Sequence, residues 1–143
     1  GILGLDELVP VALAGVGNLG SALIHHNSTQ RTATRIVLAY DKDPAKVGRI
    51  VGSVEVHPAA ALRAEVKGRG VSIGVIAVPP EAAQEVCDAF VDAGVSAILN
   101  FAPRKLVAPL HVFIENIDLG LSLEMLAYYA PAGRPRGQRT SAG

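Results

Sequence analysis

Six residues, Gly15-Val16-Gly17-Asn18-Leu19-Gly20, carry the spacing G-x-G-x-x-G between an apolar run, Val11–Ala14, and a helix-compatible stretch, Ser21–Leu23. Such a loop breaks no bonds. It presents the free N–H groups of a helix N-terminus to an anion, here the pyrophosphate of a dinucleotide. Gly15 allows the tight turn out of the strand, Gly17 lets the backbone approach the pyrophosphate, and Gly20 lets the helix pack on the strand. Asp41 follows at roughly 20 residues, the place of the acid that accepts the ribose hydroxyls of the adenosine half. A carboxylate there repels a 2′-phosphate, which favours NAD(H) over NADP(H). The alternative is that Asp41 does no more than open the Asp-Lys-Asp-Pro turn, and Asp43 competes for the ribose. Lys46 or Lys42 would lie on the phosphate or adenine side.

Two further segments fall at strand ends on the nicotinamide side: Ala77-Val78-Pro79-Pro80 and Asn100-Phe101-Ala102-Pro103. Both are mostly apolar. NAD⁺ carries a positive charge on its nicotinamide ring and NADH does not, and a cation against an apolar wall costs free energy. The expected preference is therefore for NADH. The alternative is that these prolines only end strands. Asp118, ahead of the last helix, is an N-cap candidate that can also touch a ligand.

No catalytic residue is expected. No nucleophile elbow accompanies a histidine, and no general base stands in a recognisable motif. His25 and His26 are adjacent, about 100° apart on a helix, and make a poor metal pair. His57 and His111 have no ligand spacing around them, so no metal site is expected. Cys87 lies inside a predicted helix and reads as a small buried hydrophobe.

These segments need an alternating frame to position them. Strands are predicted over Val9–Ala14, Arg35–Tyr40, Val54–Val56, Val71–Val78, Val95–Leu99 and Val112–Ile117. Helices are predicted over Asn18–His26, Pro58–Lys67, Pro80–Ala93 and Leu119–Ala130. The fold class is α/β, a Rossmann-like, doubly wound and mostly parallel sheet of about six strands. Ligands of such sheets bind at the carboxyl ends of the strands, where all five segments above fall.

With 143 residues, half of them apolar, the chain suits one compact domain. Lys and Arg balance Asp and Glu at 13 each, but all the acids precede Pro131, and Arg134, Arg136 and Arg139 follow it. The slightly acidic body argues against DNA binding by this domain itself. The expected organisation is a linker remnant over 1–8, a dinucleotide-binding domain over 9–130, and a basic flexible tail over 131–143. One cysteine, no signal peptide and no long apolar run lead to an expected cytoplasmic protein without membrane contact.

The motifs GVGNLG (15–20), YDKDPAKVG (40–48), VSIGVIAVPPEAAQEV (71–86), AGVSAILNFAP (93–103) and NIDLGLSLEML (116–126) occur in order. With them the chain resembles the dinucleotide-binding domain of the Rex redox-sensing transcriptional repressors, from about Leu3-Gly4-Leu5-Asp6 to Tyr129. VSIGVIA and ILNFAP look most like actinobacterial members. The resemblance implies a homodimer that senses the NADH/NAD⁺ ratio without chemistry and exchanges its last helix, here Leu119–Ala130. It implies operator DNA bound only through an N-terminal winged helix absent from this chain, and released when NADH closes the dimer. One departure stands out. The helix after the glycine loop usually ends in Asn-Tyr, the Tyr contacting a partner Asp at the position of Asp118. Here it reads Leu23-Ile24-His25-His26, and His26 could make that contact with a pH-dependent charge. Two other readings stand beside this one. One is the nucleotide-binding half of an NAD-dependent oxidoreductase. The other is a CoA-binding Rossmann module, against which Asp41 argues by repelling a ribose 3′-phosphate.

Overall fold

The structure, a computed structural model, describes residues 8–130. The expected linker (Leu8 aside) and the basic tail at 131–143 lie outside the described residues.

Seven strands form one sheet, and four α-helices accompany it: β1 Val9–Ala14, α1 Asn18–Thr29, β2 Thr34–Asp41, β3 Ile50–Val51, β4 Val54–Pro58, α2 Leu62–Arg69, β5 Ile73–Ile76, α3 Pro80–Asp92, β6 Ala97–Asn100, β7 Phe113–Asn116 and α4 Leu119–Tyr129. The spatial order is β3-β4-β2-β1-β5-β6-β7. Every pairing is parallel except β3 with β4. The chain order reverses at β1, which places the β1, β2 and β5 ends at the switch point where such sheets bind ligands.

Both faces of the sheet are covered, which explains the near-continuous apolar strands. Leu13, Val16, Ile24, Ile36 and Val75 form the core on the α1 side. Leu38, Tyr40, Leu62, Val66, Ile76, Cys87, Phe90 and Ile98 form the core under α2 and α3. Gly74 allows the close approach of α3: a Cβ there would stand 2.8 Å from the Phe90 ring.

The structure departs from the predicted elements in several places. The strands number seven, because Ile50–Val51 pairs with Val54–Glu55 through a turn at Gly52-Ser53. A two-residue strand leaves no periodicity to read. Pro58 ends β4 rather than starting a helix: it pairs with Asp41, beyond the reach of β3, where its missing N–H leaves no ladder bond unmade. A single 3₁₀ turn, Ala59–Ala61, intervenes before α2. Helix α1 runs three residues past His26, since Ser28 Oγ and Thr29 Oγ1 donate to the carbonyls of His25 and His26. The predicted strands from Val71 and Val95 start later, because both N–H groups donate back to the ends of the preceding helices, at Val66 O and Phe90 O.

Several described apolar side chains of α4 face outward. Leu123, Leu126 and Tyr129 are each about two-thirds exposed or more. Phe113 on the edge strand β7 and Leu110 before it are also exposed. No helix among the described residues is long and apolar enough to cross a membrane.

Candidate functional site

The carboxyl edge of the sheet extends its ladder by one bond beyond each strand. The Gly15 N–H donates to Tyr40 O, Ala77 N–H to Ala14 O, Phe101 N–H to Ile76 O, and Ile117 N–H to Asn100 O. The loops that follow are thereby held in fixed relation to one another.

The three glycines of the loop differ in surroundings. Gly15 has φ +99°, and a Cβ on it would stand 2.5 Å from Ala77 O. A Cβ on Gly20 would collide with the Gly15 carbonyl. Both are therefore required by packing. A Cβ on Gly17 would meet only Lys46 Nζ, at 3.9 Å. The space before Gly17 is open and faces a cation. Gly17 is also the N-cap of α1, with no side-chain cap and no acid in the first turn. Free N–H groups, a helix N-terminus and an ammonium group thus converge on one point, the requirements for binding a phosphate.

Asp41 closes the loop from the side. Its Oδ2 accepts the Val16 N–H at 2.8 Å and its Oδ1 accepts the Asp43 N–H at 2.9 Å. The turn-opening role is therefore present, together with a longer-range one. A carboxylate has about four lone-pair sites, so two remain for a ligand. Asp43 is engaged within its own turn, where Oδ1 accepts the Ala45 N–H.

In front of these groups lies a cleft of about 840 Å³, within the range of small-molecule sites. Gly15, Gly17, Asn18, Leu19, Asp41, Lys46, Ala77, Val78 and Pro79 line it, with Lys42 and Asp43. Val16 and Gly20 sit buried behind the loop. The cleft does not reach Asn100, Phe101, Ala102 or Asp118. Asn100 is fully buried, and its side chain bonds Ala102 N–H, Ala102 O, Arg104 O and Asn116 Oδ1. It shapes the turn from below. Phe101 packs on the α1-side core, and Ala102 is buried on the other side. Asp118 is exposed, its Oδ1 3.5 Å from where a Cβ on Gly120 would stand. His26 is exposed on α1, one turn short of its end.

Sequence reasoning missed the wall beyond Asp41: Ala59, Ala60, Leu62 and Arg63, with Ala82, Glu85, Val86 and Ala89 of α3 facing them. The run of alanines after Pro58 was the available signal, since small residues at a strand end leave room. It also missed the support for Tyr40. The Tyr40 hydroxyl donates to Glu65 Oε1 at 2.8 Å, and His57 Nδ1 lies 2.8 Å from the same oxygen. Burial and then the Glu65 contact hold the Tyr40 hydroxyl well above its ordinary pKa, so it stays a neutral donor. Burial alone would raise Glu65, but the hydrogen bonds from His57 and Tyr40 outweigh it and hold the carboxyl below its ordinary value.

The lining over β5 and β6 consists of Ala77, Val78, Pro79, Pro80 and Pro103, whose side chains carry no proton donor. The described residues hold no cluster of three metal-binding side chains. The arrangement offers free N–H groups beside an ammonium group, a carboxylate with spare acceptor sites and an apolar wall.

The model of a family described as "CoA binding domain" matches residues 6–104. The chain belongs to that family of Rossmann-type nucleotide-binding domains. The curated relatives it matches include redox-sensing transcriptional repressors named Rex. It is 43% identical over 127 residues to Rex of Streptomyces avermitilis, covering 89% of this chain and 50% of that protein. Rex of Pelotomaculum thermopropionicum is 45% identical over 127 residues, covering 89% and 60%. A crystal structure of RSP, a Rex-family repressor, superposes with a TM-score of 0.80 at 32% identity, covering 89% of this chain and 61% of that one. The same protein has been solved with beta-NADH, and with beta-NAD⁺ and operator DNA. The chain spans half to three fifths of the length of these curated relatives. Aspartate semialdehyde dehydrogenase II from Vibrio cholerae, at 14% identity and a TM-score of 0.66, shares the fold alone.

Proposed function

We propose that this chain is the NAD(H)-binding regulatory domain of a redox-sensing repressor. The observation that carries the reading is the open approach to Gly17, faced by Lys46 and flanked by Asp41, in a fold whose solved relative holds beta-NADH. The loop Gly15–Gly20 takes the pyrophosphate with Lys46. Asp41 takes the adenosine ribose. Ala77, Val78 and Pro79 flank the nicotinamide, and Asn100, Phe101 and Ala102 set the turn beneath that end. NADH is preferred, because this wall has nothing to pair with the positive ring of NAD⁺.

Occupancy is reported through a homodimer built on Leu119–Ala130. The exposed apolar side chains of α4 and β7 form a surface that a second copy of the chain would cover. Exchange of α4 brings the partner subunit's Asp118 toward the nicotinamide end, where His26 takes the place of the family tyrosine. Operator DNA is held by a winged-helix domain outside these residues, and the setting is cytoplasmic.

The test is a competition experiment. Displacement of bound NADH, followed by its fluorescence, should occur with ADP-ribose but need far higher concentrations of NADPH and CoA. Equal displacement by CoA would move the reading to the ligand in the family's name.

A further inference from the structure

The segment between β6 and β7 is fastened to α3 by one side chain. Gln84 Nε2 donates to Val107 O at 2.8 Å, and Gln84 Oε1 accepts the Val107 N–H at 2.9 Å. The amide thus pairs with a backbone unit as a neighbouring strand would. Its second N–H donates to Asp88 Oδ1 at 2.9 Å, which fixes the amide's orientation. Arg104 Nη1 adds a bond to Pro80 O at 2.9 Å, at the first residue of α3. These contacts hold the chain just after Pro103, which lines the cleft together with Pro79 and Pro80. Burial does not hold the chain at Val107, whose side chain is 73% exposed. Leu106 and Val112, by contrast, sit in the core and keep the segment on the protein.

We propose that Gln84 is a positioning residue for the nicotinamide half of the cleft: it joins the Pro79-Pro80 turn and the Pro103 segment into one rigid wall. Gln84 lies outside the cleft lining and acts through Val107 and Pro103. Pro79, Pro80 and Pro103 line the same cleft, and their spacing is fixed only while the two segments are held together. Freed from Gln84, the Pro103 segment keeps its core anchors and the Asn100 bonds to Ala102 and Arg104, but its stretch at Val107 loses its register against α3. A shift of this size at a ring-binding wall weakens binding of the ring and leaves the distant adenosine end as it was. The proposal rests on the dinucleotide reading above and adds what sets the width of the cleft at that end.

The experiment compares two ligands on two variants. NADH and ADP-ribose are titrated by calorimetry against the wild type, Gln84→Leu and Arg104→Ala, with thermal melting as the check on folding. ADP-ribose has the adenosine and pyrophosphate but no nicotinamide. Gln84→Leu should weaken NADH roughly tenfold while ADP-ribose stays within about twofold. Arg104→Ala, an exposed change that the core tolerates, should shift the same ratio in the same direction by less. Parallel losses for both ligands, or no loss for either, would overturn the role of Gln84. A wild type that binds neither ligand would overturn the dinucleotide reading itself, and this proposal with it.

Discussion

Val16 and Asp41, 25 residues apart in sequence, are joined by a 2.8 Å hydrogen bond from the Val16 N–H to the Asp41 carboxylate. The bond ties the glycine loop of β1 to the end of β2. The acid that sequence reasoning assigned to the ribose is therefore also the clasp of the glycine loop, and loop shape and the proposed ribose contact share one residue.

Asp41→Ala should consequently cost both stability and binding. Two backbone N–H groups, of Val16 and Asp43, lose their acceptors. A loss of about 1–3 kcal/mol in denaturant unfolding is expected, with NADH affinity reduced at least about tenfold. Asp41→Asn keeps one acceptor oxygen for one of the two N–H groups and should recover part of the stability but little of the affinity. It should also narrow the gap between NADH and NADPH.

The glycines should separate folding from binding. Gly17→Ala adds a methyl that meets only Lys46 Nζ, so stability should change by less than about 0.5 kcal/mol. The same methyl intrudes on the phosphate approach, and NADH binding should be lost. Gly15→Ala puts a Cβ against Ala77 O at a positive φ and should cost about 3 kcal/mol or more. Thermal melts with parallel NADH titrations of the two variants check the contrast.

The hydrogen bonds on Glu65 predict an acid-sensitive wall. Its carboxyl is held below the ordinary 4.5, so between the two values the unfolded chain binds more protons than the folded one. The contribution to stability is complete above 4.5 and is lost as pH falls through the lower, folded value. Glu65→Gln should reduce stability at neutral pH and flatten its decline in acid. Urea unfolding from pH 7 to pH 3 measures both.

The exposed apolar face of α4 predicts self-association. Sedimentation at micromolar concentration should give a dimer, and Leu126→Glu, a charge placed at an exposed apolar position, should shift it to monomer. A monomeric wild type would remove the proposed interface.

Much of this was legible in the chain, for identifiable reasons. β1 was predicted at its observed bounds, because an apolar run ending in a glycine loop has both its period and its stop in local sequence. The cleft lining at Gly15, Gly17, Asp41, Lys46 and Pro79 followed from the rule that ligands gather at strand ends. What could not be read depends on contacts distant in sequence. The clasp from Asp41 to Val16, the support of Tyr40 by Glu65, and the pairing of Gln84 with Val107 each join separate elements. Asn100 was read as facing a ligand, and it lies buried, its amide spent on backbone groups that only the folded turn brings within reach. The two-residue β3 and the 3₁₀ turn after Pro58 are too short to leave a pattern.

The central claim is that this domain distinguishes the two redox states of one dinucleotide. Calorimetric titration of the protein with NADH and with NAD⁺, in the same buffer, tests it most directly. The uncharged wall of Ala77, Val78, Pro79 and Pro103 predicts tighter binding of NADH, by a factor well above ten. Equal dissociation constants, or tighter binding of NAD⁺, would contradict it.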